Sequence, residues 1–296
     1  MLVSVQISTH NRCESLRRCL TSLFSITTAR ELFEVVVVDD GSEDGTAEMV
    51  ARLSPPYTLR YVHQAHAGLA RARNAGILAA RGEIVLFLDD DVLATPSLID
   101  AHAHTHGSNA GAAVVNGTVR HVEAPVVPRT PKARLADFSS SFFWTCNASV
   151  RRSDLLAAGL FDEAFTEYGW EDLEFGDRLR RLGLRRRRSA GAVVYHVKPR
   201  WRGSDLPRLL SQAEASGRSA VLYVRKAPSW RARLSTGISP VRMRANLWAA
   251  KCEPLWRRLA CRDGDGEMRG AARLGAWLLQ RAHYFRAIEG ELCHPI

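Results

Sequence analysis

The chain has 296 residues, of which 46% are hydrophobic and 24% are charged, and its formal net charge is +10. A chain of this size and composition can bury a full core, which excludes disorder of the whole. Its apolar runs are too short, or too interrupted by polar residues, to form a signal peptide or a transmembrane helix, so we expect neither.

The charged residues are unevenly distributed. Carboxylates lie mostly in residues 1–180, whereas basic residues interleaved with five tryptophans dominate from Arg185 onward. This predicts a charge-balanced core and a basic tail that attracts polyanions. The six cysteines form no C-x-x-C pair and no zinc-binding spacing with histidine, so we interpret them as reduced thiols of a cytoplasmic protein.

The first half of the chain alternates β-branched runs with helical stretches, which is typical of βαβ units around a mostly parallel sheet. The apolar runs at 35–38 and 84–88 are continuous, as in buried parallel strands, and both are followed by aspartates. Ligands bind beyond the carboxyl ends of such strands, so these aspartates should gather at one edge. We predict strands at 2–8, 34–38, 58–63, 83–88 and 112–121, and helices at 12–25, 44–53, 68–80 and 96–105.

The second half begins with a proline-containing loop at 122–137, whose length is typical of a lid or an acceptor-binding segment. A short strand is expected from Cys146. The apolar periodicity then predicts amphipathic helices beyond Ser204, separated by Gly and Pro. The predicted helices are 153–158, 171–182, 205–225, 240–260 and 267–288, with one strand at 191–196.

The run Asp89, Asp90 and Asp91 follows an apolar strand. Three adjacent carboxylates repel one another unless a cation or hydrogen-bond donors neutralise them. Mg²⁺ and Mn²⁺ bind one or two carboxylates together with substrate phosphates, so the run suits a nucleotide diphosphate held through a metal. The alternative is a solvated turn in which Asp91 caps the next helix.

Two glycine-containing segments accompany this run. In V-V-D-D-G-S-E-D-G-T at 37–46, Asp40 could accept a hydrogen bond from a nucleobase or a ribose, or the segment could be an ordinary turn with a helix cap. In G-L-A-R-A-R-N-A-G at 68–76, Arg71 and Arg73 could contact phosphates or nucleobase carbonyls, or could simply be solvated.

Together these segments resemble the inverting family 2 glycosyltransferases, which have a GT-A fold. The resemblance is carried by I-S-T-H-N-R at 7–12, by the two segments above, by F-L-D-D-D at 87–91 and by G-W-E-D-L-E-F at 169–175. His10 departs from the family pattern, in which an aromatic residue is common. The resemblance implies an α/β, Rossmann-like, mostly parallel sheet flanked by helices, with a C-terminal amphipathic helical appendage.

The resemblance also implies a division of the chain. Residues 1–203 would form the GT-A domain, with a nucleotide-sugar-binding half at 1–121 and a half at 122–203 that holds the acceptor and the catalytic base. Residues 204–296 would form the basic helical C-terminal region.

The residue roles that the resemblance implies are as follows. Asp172 would be the catalytic base, beside Glu171, at the start of a helix. Asp91 would bind a divalent metal, Mn²⁺ or Mg²⁺, with Asp89 and His196 as further ligands, although a lone histidine at a strand end is more often structural. The nucleotide-sugar-binding residues would be Thr9, Asn11, Arg12, Asp40, Arg73, Asp89, Asp90 and Trp170.

Further expectations concern Asp90 and a series of three histidines. Asp90, in the variable middle place of the acidic run, should tolerate replacement best. His102, His104 and His106 lie on a predicted helix whose solvated face we expect them to occupy.

The predicted reaction is in-line displacement at the anomeric carbon of a nucleotide sugar, with a UDP-sugar favoured, by a hydroxyl of a glycan, lipid-linked or other acceptor in polysaccharide or glycoconjugate biosynthesis. Two other functions stay open, a sugar-phosphate nucleotidyltransferase and a non-catalytic protein that binds polyanions or a membrane surface. The G-x-S-x-G and P-loop motifs are absent from the sequence.

The tail offers two interpretations. Its arginines and tryptophans suit docking to an anionic membrane surface, which would make the protein peripheral on the inner face of the membrane. Alternatively, the helices pack on the core with buried tryptophans and solvated arginines. Nucleic acid is a weaker candidate because no recognition motif accompanies the charge.

Overall fold

The computed structural model describes residues 2–108, 111–127, 137 and 141–293. The chain forms two compact units. The first unit comprises Met1–Thr166 and Phe175–Lys198, and the second comprises Glu167–Glu174 and Pro199–Ile296. Most of the loop predicted at 122–137 lies outside the described residues.

The first unit is built on one eight-stranded sheet of order β3-β2-β1-β4-β7-β6-β8-β5. Strands β3, β2, β1 and β4 are mutually parallel, whereas β7 is antiparallel to both β4 and β6. The strands are β1 Val3–Thr9, β2 Phe33–Asp39, β3 Thr58–His63, β4 Ile84–Asp89, β5 Val92–Ala94, β6 Ala113–Val122, β7 Asn147–Arg151 and β8 Arg185–Val197.

The helices of this half follow the predicted order. Continuous apolar strands such as β2, in which every residue is buried, require cover on both faces of the sheet, as expected for parallel strands. The helices are α1 Cys13–Ser22, α2 Thr46–Arg52, α3 Leu69–Ala79, α4 Leu98–Gly107, α5 Arg152–Ala157 and α6 Glu171–Arg181. α6 begins in the second unit and ends in the first.

The sheet differs from the prediction at its far edge. Strand β8 begins at Arg185, six residues before the predicted start, because the backbone of Arg185–Arg188 pairs with that of Ala113–Asn116. Main-chain pairing with a buried neighbour thus overrides the low strand preference of a charged run. Strand β5 was not predicted, and its pairing sets Val92 beside His196. The carbonyl of Asp91 accepts a hydrogen bond from Val197 N at 2.9 Å.

The histidines of α4 correct a prediction. His102 and His106 share a face, but that face is buried, and only His104 is exposed. Asn147 Nδ2 donates to two backbone carbonyls, so its Oδ1 must accept from His102 Nε2 at 2.8 Å. His102 Nδ1 therefore accepts from the Ser149 hydroxyl at 2.8 Å, and His106 Nε2 donates to the same hydroxyl oxygen at 2.9 Å. Both ring nitrogens of His102 and Nε2 of His106 are therefore hydrogen-bonded inside the core.

The second unit contains α7 Leu206–Lys226, α8 Trp230–Thr236, α9 Pro240–Ala250, α10 Glu253–Ala260 and α11 Gly270–Cys293. The helix predicted at 240–260 is two helices, with a break at Lys251 and Cys252 ahead of Pro254. Close helix packing depends on Gly217, where an added Cβ would lie 2.4 Å from the carbonyl oxygen of Tyr284. None of the described helices combines the length and apolar character needed to cross a bilayer.

We expect the free energy of unfolding to fall as the pH is lowered from about 6.5 to about 4. Burial lowers the pKa of His102 and of His106 to about 4, so in this window the unfolded chain takes up protons that the folded chain does not. Replacing His102 with Gln should remove a pH-dependent contribution on the order of 3 kcal/mol, measured by urea unfolding across this range. His104→Gln, on the exposed face of the same helix, is the control, and an unchanged pH profile in His102→Gln would contradict the assignment.

Candidate active site

The carboxyl ends of three neighbouring strands meet at one edge of the first unit. Thr9 of β1 pairs in register with Asp39 of β2, and Ser8 pairs with Asp89 of β4. The residues that follow these strand ends therefore lie at the same edge, as the sequence predicted.

Asp90 is the best-anchored member of the acidic run. Thr9 Oγ1 donates to its Oδ2 at 2.8 Å, and Arg12 Nη1 lies 2.9 Å from its Oδ1. Only 4% of the residue is exposed, and this burial raises the pKa of Asp90 to about 7 against the opposing effect of Arg12. The expectation that Asp90 tolerates replacement best conflicts with this geometry, because its loss would remove the acceptor of the buried Thr9 hydroxyl and the ion-pair partner of Arg12.

Asp91 lies between Arg12, which follows β1, and His196 of β8. Arg12 Nη2 lies 2.8 Å from its Oδ2, and His196 Nε2 lies 3.0 Å from its Oδ1. Burial opposes ionisation of Asp91, but His196 and Arg12 outweigh it and lower the pKa to about 2. The alternative role as a helix cap is wrong, because the three-residue strand β5 follows Asp91 and Ser97 precedes α4.

Asp89 is the outward member of the run, with 31% of its side chain exposed and its Oδ1 4.0 Å from Arg73 Nη2. Arg73 is itself buried, donates to Thr145 Oγ1 at 2.5 Å and stacks over the ring of Phe161. Arg73 is therefore held in a fixed position, whereas Arg71 is exposed as the simpler interpretation of this segment predicted.

The carboxylate of Asp40 accepts several hydrogen bonds. Its Oδ1 accepts from Gln64 Nε2 and from the backbone N–H of Ala67, and its Oδ2 accepts from the backbone N–H of Gly68 at 2.9 Å. His66 Nδ1 lies 2.8 Å from Oδ2. Asp40 is 3% exposed, so the carboxylate organises the loop that leads into α3. A contact with the nucleobase stays a prediction.

The loop after β1 contains three further motif residues, and the structure shows what each of them contacts. Asn11 has a positive φ of 51° and connects the loop after β1 to the loop after β2, since its backbone N–H donates to Ser42 Oγ and its Oδ1 accepts from Glu43 N, both at 2.8 Å. His10, the departure from the family pattern, stacks on His66 with ring centroids 4.2 Å apart. The side chain of Arg12 is 48% exposed, so it faces solvent while pairing with the acidic run.

Cys146 is a site residue that sequence reasoning missed. Its thiol is fully buried, and its Sγ lies 3.6 Å from His196 Nδ1. Ligand atoms of Asp89, Cys146 and His196 all lie within 4.8 Å of one another. Burial, with Asp89 and Asp91 nearby, raises the pKa of Cys146 well above its usual value. No spacing signal identifies it, because its partners are about 50 residues away in the chain.

The residues at this edge fit a divalent cation. Asp91 and His196 offer oxygen and nitrogen 3.0 Å apart. Two adjacent ligands of an octahedral ion with metal–ligand distances of about 2.1 Å are separated by about 3 Å. Carboxylate and imidazole ligands are compatible with Mn²⁺, and carboxylate with Mg²⁺. The predicted ligand set of Asp91, Asp89 and His196 is therefore chemically consistent with either ion.

The remaining predicted residues lie in the second unit. Trp170 has a positive φ of 74°, and its indole N–H donates to the backbone carbonyl of Ser216 at 2.9 Å. Its ring stacks on Tyr223. Glu171 and Asp172 occupy the first turn of α6 and are 7% and 8% exposed. Acidic residues at a helix N-terminus interact favourably with the helix dipole, so this position has a structural reason of its own.

The family and its sequence relatives agree with the motifs. The sequence model described as Glycosyl transferase family 2 matches residues 4–156. The validoxylamine A glucosyltransferase of Streptomyces hygroscopicus subsp. jinggangensis (strain 5008) is 36% identical over 220 residues, covering 62% of this chain and 52% of that protein. The chondroitin synthase of Escherichia coli is 28% identical over 248 residues, covering 70% of this chain and 36% of that protein. The chain spans about half the length of the first curated relatives it matches.

Solved structures share the fold. The mannosyltransferase PcManGT from Pyrobaculum calidifontis, in complex with GDP-Man and Mn²⁺, has a TM-score of 0.65 at 21% identity and covers 98% of this chain and 86% of its own. S. aureus TarS 1-349, in complex with UDP-GlcNAc, has a TM-score of 0.56 at 20% identity and covers 99% of this chain and 92% of its own. The predicted GT-A fold is confirmed. Because the family model matches more than half of the chain, the chain belongs to glycosyl transferase family 2.

We expect Asp40→Ala to lower the free energy of unfolding by about 1–3 kcal/mol, since it leaves one buried and one partly buried backbone N–H group without their acceptor. Asp40→Asn keeps one acceptor oxygen and should lose less. Urea unfolding measures both, with Glu43→Ala, an exposed side chain of the same loop, as the control that should stay within about 0.5 kcal/mol of the wild type. Equal stability of Asp40→Ala and Glu43→Ala would rule out the loop-organising role.

Proposed function

We propose that this family 2 glycosyltransferase moves a sugar from a nucleoside-diphosphate sugar, with a UDP-sugar favoured, to a hydroxyl of a glycan, lipid-linked or other acceptor in polysaccharide or glycoconjugate biosynthesis. The observation that carries the proposal is the acidic run Asp89, Asp90 and Asp91 at the carboxyl edge of the sheet, where Arg12 pairs with Asp90 and Asp91 and His196 lies beside Asp91. The nucleotide sugars in the structures of PcManGT and TarS support such a donor.

The donor would be held by two groups of residues. Thr9, Asn11 and Asp40 would lie beside the nucleobase, and Asp89 beside the ribose. Arg73 would contact the nucleobase or the phosphates, and Arg12, Asp90 and Trp170 would complete the nucleotide-sugar site. The buried position of Arg73 supports this role, because a guanidinium already held by Thr145 loses little side-chain entropy when it binds a phosphate.

Asp91 and His196, with Asp89, would hold Mn²⁺ or Mg²⁺. Such an ion, when bound, offsets the negative charge of the diphosphate. His196 is positioned by the pairing of β5 with β8, and its Nε2 faces Asp91, so the two ligands are fixed by backbone hydrogen bonds and need little rearrangement.

Asp172 would act as the base, with Glu171 beside it. From the first turn of α6, the carboxylate of Asp172 would accept the proton of the acceptor hydroxyl as that oxygen attacks the anomeric carbon. The nucleoside diphosphate departs on the opposite side, so the configuration at the anomeric carbon inverts.

Asp172→Asn should lower kcat by at least about 100-fold, because an amide cannot accept the hydroxyl proton. Asp91→Asn should also lower kcat, and it should raise the Mn²⁺ concentration needed for half-maximal rate. The assay is release of nucleoside diphosphate from a panel of nucleotide sugars with and without Mn²⁺ or Mg²⁺.

Asp177→Asn is the matched control, since Asp177 lies on the same helix and pairs with Arg180. Wild-type turnover in Asp172→Asn would exclude the proposed base. Pyrophosphate release from a nucleoside triphosphate would instead indicate a nucleotidyltransferase, and no turnover of any donor by the wild-type protein would favour a binding protein.

The basic tail would dock on an anionic membrane at its inner, cytoplasmic face, where a lipid-linked acceptor is presented. Residues 199–296 contain 18 of the 41 Lys and Arg but only 8 of the 31 Asp and Glu, so the whole net charge of +10 belongs to them. Each basic residue near an anionic bilayer contributes about 1 kcal/mol to its attraction.

Exposed apolar residues on α8 and α9 support the same proposal. Trp230 and Leu234 are one helical turn apart on α8 and are 70% and 54% exposed. Val241 and Trp248, seven residues apart on α9, are 79% and 71% exposed. Arginines border both helices, as in helices that lie in a membrane interface. The alternative of fully buried tail tryptophans does not hold for Trp230 and Trp248.

We expect the protein to co-sediment with vesicles of mixed neutral and anionic lipids, and less so at high salt. Replacing Trp230 and Trp248 together with Ala should reduce binding several-fold, because both side chains would insert below the headgroups. Leu78→Ala, a 57% exposed apolar position in the first unit, is the control. Absence of binding to anionic vesicles at low salt would contradict docking and leave the transferase proposal untouched.

A further inference from the structure

The imidazole of His196 faces two different groups of side chains with its two ring nitrogens. Its Nε2 lies 3.0 Å from Asp91 Oδ1, in the site proposed for the hard cation. Its Nδ1 lies 3.6 Å from Cys146 Sγ, and Asp89 completes a group of three ligand atoms within 4.8 Å of one another.

The distances on the Cys146 side suit a different class of metal. Around a tetrahedral ion with metal–sulfur and metal–nitrogen distances of about 2.3 and 2.0–2.1 Å, adjacent sulfur and nitrogen ligands are separated by about 3.6 Å. Sulfur, imidazole and carboxylate together favour Zn²⁺ and similar thiophilic ions over Mg²⁺. Asp89 is 31% exposed, so one of the three ligands is in contact with solvent.

The surroundings supply the partner that a metal-binding histidine needs. A histidine that binds a metal through one nitrogen commonly donates its other N–H to a carboxylate, which fixes the ring and its tautomer. With a metal on Nδ1, the proton of His196 would stay on Nε2, which lies 3.0 Å from Asp91 Oδ1. Cys146 would release its thiol proton to solvent and bind as the thiolate.

We propose that Asp89, Cys146 and His196 form a second cation site, selective for thiophilic divalent ions such as Zn²⁺. It excludes the Mn²⁺ or Mg²⁺ site, because that site needs the proton of His196 on Nδ1 and both sites use Asp89. A thiophilic ion therefore inhibits transfer. The inhibition rests on the proposed function, whereas metal binding by these three residues does not.

Titration with Co²⁺ tests the site, since a thiolate bound to Co²⁺ gives a charge-transfer absorption that carboxylate and imidazole ligands do not. In the absence of a nucleotide sugar, the wild-type protein should develop this band when one equivalent of Co²⁺ is added. Any absorption from Co²⁺ bound to the other cysteines is additional to this band. Cys146→Ser should lose this band and bind Co²⁺ at least about tenfold more weakly. If Cys146→Ser does not fold, Cys146→Ala provides the same test, and circular dichroism checks that each variant is folded.

Cys19→Ser is the matched control, because Cys19 is also fully buried and its Sγ lies 3.6 Å from the backbone carbonyl of Asp89. It should keep the band. A band that survives in both Cys146 variants, or that the wild type never shows, would overturn the site. Excess Mn²⁺ should shift the Co²⁺ titration to higher concentration, and the absence of such a shift would overturn the competition while leaving the transferase proposal to its own assay.

Discussion

Three consecutive carboxylates at the end of a buried strand are the constraint on which the rest of this active edge depends. Their mutual repulsion must be offset, and each aspartate is offset differently. Asp90 points into the protein against Thr9 and Arg12, Asp91 lies between Arg12 and His196, and Asp89 stays partly exposed. One arginine thus pairs with two carboxylates, and the negative charge that remains on the outer side attracts a divalent cation.

Some residues of the family motifs hold the local backbone in place, and they lie next to residues proposed to contact the substrate. Asp40 accepts hydrogen bonds that shape the loop before α3, and Asn74 clamps the segment at Phe161 through both atoms of its amide. Gly76 is required because an added Cβ would lie 2.4 Å from the side chain of Gln6. A substitution in a motif can therefore abolish activity by disturbing the loop geometry without removing a group that contacts the substrate.

The net charge of the protein is distributed unevenly along the chain. Residues 1–198 contain equal numbers of acidic and basic residues, so this part of the chain balances its own acidic edge, and the tail carries the excess. A neutral region with a local acidic run favours cations at that run, whereas a basic helical unit favours anionic surfaces. The two tendencies do not compete, because they belong to different parts of the sequence.

The sequence by itself determined the α/β class with a mostly parallel sheet, the gathering of aspartates at one edge and the family. These properties depend on local patterns, because the spacing of apolar residues identifies the buried strands. The residues that come directly after each strand can then be read from the sequence. Tertiary structure alone decided that Arg12 neutralises Asp90 and Asp91, that His102 and His106 are buried and that Cys146 contacts His196. It also added β5 and the first half of β8. Side chains far apart in the chain meet only through strand pairing, and no local spacing encodes which strands pair.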